Sequence, residues 1–250
     1  MQVHDRLKGQ NMAGRCASVG VLAVFLAGTV QATELDRVRE LDRARQNQRA
    51  AFELAFTKLG QLEPDRIAAE HGRVVRNGGE LALALSGGRW TYFHNETVWC
   101  LSGVIPARSD GCVDFYFVGH PVPRFYLLRA HYAEGSDFRL VDAGNGHPTN
   151  IPAEPQFSAD QKHFVTVSAA IAYDPVGIEI WQVTPDAPAL IWKHVPSQFA
   201  LYHFVTWRGD DDVLLDVETY VDHELKRLPA RLRLGTNGWT LQGPVEASQY

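Results

Sequence analysis

The sequence predicts an all-β protein preceded by an N-terminal α-helix, its strands grouped in repeated antiparallel sheets. Three observations lead there. From residue 73 onward, short apolar or alternating runs recur at even spacing, divided by turn signals such as Asn77-Gly78-Gly79, Gly144-Asn145-Gly146 and Thr236-Asn237-Gly238, which is how hairpin-linked strands read. Beyond His71 no long segment keeps the 3.6-residue apolar period of a helix. Finally, the stretches 113–146, 158–192 and 204–241 present similar orders of strand and turn, the mark of a repeated unit.

The helix comes first. Thr33 to Leu59 is rich in Ala, Leu, Glu, Gln and Arg, and places apolar residues at Leu35, Val38, Leu41, Phe52, Phe56 and Leu59 with no Gly or Pro among them; these are good helix formers in a helical pattern. Thr33 is the expected cap, with Asp36 three residues on, and Gly60 the expected stop. Its face between Arg43 and Arg49 is polar, so the helix either lies on the edge of a sheet or serves self-association. A short helical patch, Pro64 to His71, follows.

The strands then take over. Val74 to Arg76, Leu81 to Leu85 and Trp90 to Phe93 are joined by glycine turns. Val113 to Val118, Phe125 to His131 and Phe138 to Asp142 make the next group. Phe164 to Ser168, Ile178 to Val183 and Leu190 to Trp192 make another, and Phe204 to Trp207, Val213 to Thr219, Leu232 to Leu234 and Trp239 to Leu241 the last. Edge strands left uncovered by such an arrangement invite pairing with another chain.

One stretch carries a resemblance. Phe157-Ser158-Ala159-Asp160-Gln161-Lys162, followed by an alternating strand and then Trp181, resembles a blade of the WD-repeat and Tol-type β-propellers. Their pattern is Phe-Ser-Pro-Asp-Gly-Lys with a downstream Trp; here Ala159 replaces the proline, Gln161 the glycine, and Gln182 the aspartate after the Trp. The resemblance implies propeller-like sheets, in four units or an incomplete set, with a β-sandwich as the alternative. It implies no activity, because propellers host enzymes, receptors and scaffolds alike.

The 250 residues, 45% hydrophobic and 21% charged, suit a globular chain with a sizeable core. The first 32 differ. Arg15 precedes an apolar run from Val19 to Val30, closed by Gln31 and Ala32, the composition of a secretory signal. That run is short of the roughly 20 residues a membrane span needs, and Cys16 stands before it, where a lipidated cysteine would have to follow. The expected organisation is a signal peptide over 1–32, a helical segment over 33–72 and a β domain over 73–250, exported to the periplasm or the extracellular space with no membrane anchor after cleavage.

Cleavage would remove Asp5, Arg6, Lys8 and Arg15 from a chain of 24 basic and 29 acidic residues, leaving 21 against 28 and a net charge of −7. An acidic chain lacks the clustered Lys and Arg that bind phosphates, which argues against nucleic acid. Two cysteines remain, Cys100 and Cys112, with Gly103, Pro106 and Gly111 between them. In an oxidising compartment a disulfide is expected, contributing about 3 kcal/mol in the loop-entropy picture; two buried thiols are the alternative.

Motifs for chemistry are sparse. No nucleophile elbow, zinc helix, phosphate loop or dinucleotide fingerprint occurs. Asp210-Asp211-Asp212 is contiguous rather than spaced as calcium ligands are, and reads as a solvated turn. Histidines 94, 120, 131, 147, 163, 194, 203 and 223 show no ligand-like spacing. His131 and Glu134 place an imidazole near a carboxylate, the makings of an acid–base pair or of a polar strand end. Trp90, Tyr92, Phe93 and Trp99 form either core or a stacking surface for a sugar or peptide. The resulting expectation is a non-catalytic binding or scaffold protein, without cofactor or metal, that meets a protein or glycan of the cell envelope. The alternative is a hydrolase of envelope polymers.

Overall fold

The computed structural model describes residues 57–58, 60–96, 112–132, 135–168, 177–197, 199–222 and 224–243. All belong to the second of two compact units, Glu53–Tyr250; the first, Met1–Phe52, lies outside the described residues, and with it most of the helix expected over Thr33 to Leu59. Among the described residues, fifteen strands form four antiparallel sheets, and one helix lies near the N-terminus.

That helix covers residues 57–58 and 60–69. Gly60 does not stop it, contrary to expectation, and the patch from Pro64 is part of the same helix. Gly60 instead lies against Tyr116, where an added Cβ would meet the ring edge at 3.8 Å, an ordinary contact. Ile67 packs on the core beneath.

The first sheet contains β1 (Val74–Asn77), β2 (Glu80–Ala84) and β3 (Trp90–His94), paired in that order. The second contains β4 (Asp114–Val122), β5 (Phe125–Tyr132), β6 (Gly135–Asp142) and β7 (Pro148–Ile151). In the third, β8 (Gln156–Phe157), β9 (His163–Ser168), β10 (Gly177–Gln182) and β11 (Ala189–His194) follow one another. The fourth is built from β12 (Ala200–Trp207), β13 (Asp212–Val221), β14 (Glu224–Gly235) and β15 (Gly238–Gln242). Within every sheet, chain order is pairing order. No sheet closes on itself among the described residues.

Strand alternation assigns the faces, because neighbouring side chains point to opposite sides of a sheet. Leu81 and Leu83 of the first sheet meet Phe117, Tyr126 and Leu128 of the second. The second sheet's other face, with Phe125, Leu127 and Leu140, packs on Phe164 and Trp181 of the third. Val165, Ile178 and Ile180, on the far side of the third, meet Val213, Val217 and Leu232 of the fourth. Each such side chain, buried completely, contributes about 1.5–3 kcal/mol. Among the described residues, the two middle sheets are therefore covered on both faces, and the first and last on one.

The open edge of β4 is closed by side chains rather than by a strand. Phe117 N donates to Glu63 Oε1 at 2.7 Å, and Phe115 N donates to Asn95 Oδ1 at 2.9 Å. Phe115 O accepts from Arg76 Nη2 at 2.5 Å. These bonds tie the helix and the first sheet to the second, and satisfy backbone groups that would otherwise be costly to bury.

Candidate functional site

The outward face of the first sheet follows from its register. Val75 pairs with Ala82 and Ala82 with Tyr92, while Ala84 pairs with Trp90 and Glu80 with His94. Small alanines on β2 leave the flanking side chains raised above a flat floor. Trp90 is 40% exposed and Tyr92 53%, with Val75 exposed beside them. His94 Nδ1 lies 3.5 Å from Glu80 Oε2 at one end of the row. Of the four aromatics singled out in the sequence, Phe93 turns inward against Phe115, ring centroids 5.1 Å apart. Trp90 and Tyr92 form surface, and Trp99 lies outside the described residues. Alternation alone cannot tell core from surface when a three-stranded sheet has only one covered side.

The last sheet has an outward face of the same kind. Tyr220 pairs with Leu225 across the β13–β14 hairpin, at 60% and 54% exposure. Phe199 packs on Tyr220 at 5.3 Å. Val205, exposed, sits where a bulge shifts the register of β12. Charged groups share this face: Arg227 Nε lies 3.0 Å from Asp216 Oδ2, Arg231 Nε lies 2.7 Å from Asp212 Oδ1, and Arg233 is exposed in the same row. The sequence pattern does not disclose this face, since Pro229 interrupts β14 and its first half lacks the alternation of a strand.

Of the two groups expected for acid–base chemistry, the structure describes one. His131 is on β5, in a row with Asp114 and Ser136, and Glu134 lies outside the described residues. Two polar clusters that the sequence did not show are structural in character. Glu70 Oε2 is 3.1 Å from His120 Nε2 and 2.7 Å from Arg73 Nη2, but the imidazole is walled in by Phe117 and Tyr126 and its Nδ1 is buried. Asp137 is bonded by Tyr132 Oη at 3.2 Å and by Arg139. Burial pushes its carboxyl above the usual range against the opposing pull of Arg139, and burial also raises the Tyr132 phenol.

The carboxylates of residues 210–212 diverge. Asp210 Oδ1 accepts from Asp160 N at 2.9 Å, whereas Asp212 is buried, not solvated as the turn reading had it, and pairs with Arg231. Hydrogen bonding from Arg231 holds the Asp212 carboxyl below its usual range. Among the described residues no three His, Cys, Asp or Glu groups gather as metal ligands would.

A cleft of about 500 Å³ lies where turns of the first three sheets meet, lined by Ser86, Arg124, Asp142, Asn145 and Pro185 among others. Its charged groups are committed to the fold: Arg124 Nε bonds Asp142 Oδ2 at 2.6 Å and Arg124 Nη2 bonds Pro185 O at 2.7 Å. Gly144-Asn145-Gly146 forms the β6–β7 turn, as expected, with Asp142 Oδ1 accepting from Gly144 N at 2.7 Å. Of the two cysteines expected to bond, Cys112 stands just before β4 and Cys100 lies outside the described residues. No helix among the described residues is long and apolar enough to cross a membrane.

No family model matches the sequence, and no curated protein or solved structure is detectably similar to it.

Proposed function

We propose that the chain is an exported, non-catalytic scaffold or binding protein that meets a protein partner through the outward faces of its first and last sheets. One observation carries this reading: both end sheets present aromatic and aliphatic side chains to solvent from regular strands, Trp90, Tyr92 and Val75 on one and Tyr220, Leu225 and Val205 on the other. Exposed apolar groups gathered on one face mark interaction surfaces rather than ordinary exterior. Aromatic residues on rigid strands give large contact area at little entropic cost. The aliphatic neighbours, Val75 in the row of Tyr92 and Leu225 opposite Tyr220, favour protein over glycan.

The order of the sheets supports a propeller-like arrangement, with the resemblance around Phe157 to Lys162 as its sequence counterpart. Export is supported by the apolar run from Val19 to Val30, and the Cys100–Cys112 bond belongs to the same proposal. Intact mass under non-reducing conditions checks both: the exported chain should begin at Thr33 and carry no free thiol. Tagged mature chain, incubated with envelope extract, should capture a protein, and capture should be lost in Tyr92→Glu and Tyr220→Glu. Capture indifferent to both substitutions overturns the binding reading. Retention on a polysaccharide matrix, lost in Tyr92→Glu, would replace the protein partner with a glycan.

A further inference from the structure

We propose that Asn77 is a site of spontaneous deamidation selected by the fold, and that its product weakens the hairpin of the first sheet. The reaction needs no partner, so it stands or falls apart from the binding reading above.

The chemistry is intramolecular. Where glycine follows asparagine, the glycine backbone nitrogen can attack the asparagine side-chain carbonyl carbon, Cγ, because the glycine has no Cβ to block the approach. A new N–Cγ bond closes a succinimide ring, the Cγ–Nδ2 bond breaks, and Nδ2 leaves as ammonia with the proton given up by the glycine nitrogen. Solvent water then opens the ring at either carbonyl. The products are an aspartate and an isoaspartate, the second with the main chain routed through the side-chain carbons. No oxidant or reductant takes part.

Asn-Gly occurs at 77–78, 145–146 and 237–238. The sequence treats the three alike; the fold does not. Gly146 N, the nucleophile of the second pair, already donates to Asp142 O at 2.7 Å. The Asn145 amide is held at both ends, Nδ2 donating to Asp186 O at 3.2 Å and Oδ1 accepting from His147 N at 2.7 Å. This turn is also crowded, since a Cβ on Gly146 would lie 2.7 Å from Leu85 Cδ1. At the third pair, Gly238 closes the β14–β15 hairpin in register with Gly235, and in a two-residue turn the N–H at that place is the donor of the turn's own hydrogen bond.

Asn77 differs on each count. It ends β1 and pairs with Glu80 across the Gly78-Gly79 turn, so the turn's donor is Glu80 N and Gly78 N stands outside the ladder. Among the described residues, neither Gly78 N nor the Asn77 side-chain amide makes a hydrogen bond. Both residues are exposed, and a Cβ on Gly78 would meet nothing within 4 Å. Nucleophile, target carbon and space are all free together only here.

The product meets a carboxylate. Position 77 and Glu80 are direct cross-strand partners, and like charges so placed are destabilising. The isoaspartate form also lengthens the backbone at the end of β1, where turn length sets the register of β1 on β2. Conversion therefore acts on the sheet that carries Val75, Trp90 and Tyr92.

The test is peptide mapping by mass spectrometry of the purified full chain, held warm at neutral pH for weeks, native and in denaturing urea side by side. In the native chain the peptide containing residue 77 should convert from amide to acid at least about 10-fold faster than the one containing residue 145, where several hydrogen bonds must break first, and faster than the one containing residue 237. In urea the three rates should converge. Native conversion at 77 no faster than at the other two overturns the proposal. A lead at 77 that persists in urea overturns it too, by placing the selection in local sequence rather than in the fold. Aspartate without isoaspartate would show direct hydrolysis in place of ring closure, with the same result. For the consequence, Asn77→Asp should lower the thermal midpoint at neutral pH, and the loss should vanish when Glu80→Gln is added. An unchanged midpoint, or a loss indifferent to Glu80→Gln, overturns the weakening of the hairpin by charge.

Discussion

The Glu63 carboxylate bonds Arg76 Nη2 at 2.6 Å and, through the same oxygen, Phe117 N at 2.7 Å. One side chain of the helix thereby neutralises a cation of the first sheet and closes the edge of the second. Its side chain is 9% exposed and that of Arg76 18%, so both sit largely out of water.

Removing that carboxylate therefore leaves the Phe117 N–H without its acceptor and Arg76 without its counter-charge, though Arg76 keeps its bond to Phe115 O. Glu63→Ala should destabilise the domain by roughly 3 kcal/mol, in the range for breaking a buried pair. Glu63→Gln, which can still accept one bond but not neutralise Arg76, should lie in between. Urea unfolding measures both. A loss no larger than that of an exposed ion pair, about 0–1 kcal/mol, would mean that the helix does not anchor the two sheets.

Asp160 gives a pH dependence with a definite sign. Its carboxyl is held down to about 2, first by the backbone N–H of Lys162, against the opposing effect of burial, and further by Ser158 and the Lys162 ammonium. A carboxylate with a depressed folded pKa stabilises the protein above its unfolded value, near 3.9, and loses that contribution as pH falls through the folded value. Wild type should thus be more stable than Asp160→Asn at neutral pH, with the gap narrowing from about pH 4 and closing near pH 2. Denaturant midpoints across that interval decide it. A gap independent of pH would assign the effect to shape rather than charge.

The sheets were legible because their turns and apolar rows were. Asn77 to Gly79 and Gly144 to Gly146 mark hairpins by chemistry that only tight turns require, and rows such as Phe164, Val165 and Ile178 can only be interior. What escaped was written in other terms. β7 begins on Pro148 and contains Thr149 and Asn150, without apolar alternation, and β8 has two residues. In β14, Pro229 looks like a strand breaker; it is tolerated because β15 pairs only with Arg231 to Gly235, leaving Pro229 no neighbour to donate to on that side. The outward faces escaped for a different reason. Whether Tyr92 or Phe93 is buried depends on which side of the sheet a neighbour covers, and that is a property of the whole arrangement rather than of β3.

The departure from the blade pattern at Gln161 has a backbone cost. Gln161 has φ of 56°, the left-handed region that favours glycine and where a Cβ is crowded by about 1 kcal/mol. Asp160 and Ser158 hold the turn in that shape: Lys162 N donates to Asp160 Oδ1 at 3.0 Å, and His163 N to Ser158 Oγ at 3.1 Å. Gln161→Gly should then stabilise the domain by about 0.5–1 kcal/mol, with the entropy of the freer unfolded chain taking back part of the gain. Thermal or urea midpoints check it. No gain, or a loss, would show that the Gln161 side chain makes up for its backbone.

Gly177 tests the packing of the third sheet at the point where β10 begins beside β11. A Cβ there would lie 2.3 Å from His194 O and 3.3 Å from His194 C, both backbone atoms that no side-chain rotation can move aside. The φ of 155° adds to the strain. Gly177→Ala must push the two strands apart, and should cost at least the 1–3 kcal/mol typical of overpacking. The displaced row neighbours Ile178 and Ile180, which form part of the interior shared with the fourth sheet, so the last sheet should loosen as well. Hydrogen exchange reads this directly: amides of β10 and β11 should lose protection first, then those of β13, while the first sheet keeps its own. Protection unchanged in β13 would show that the third and fourth sheets do not unfold as one unit.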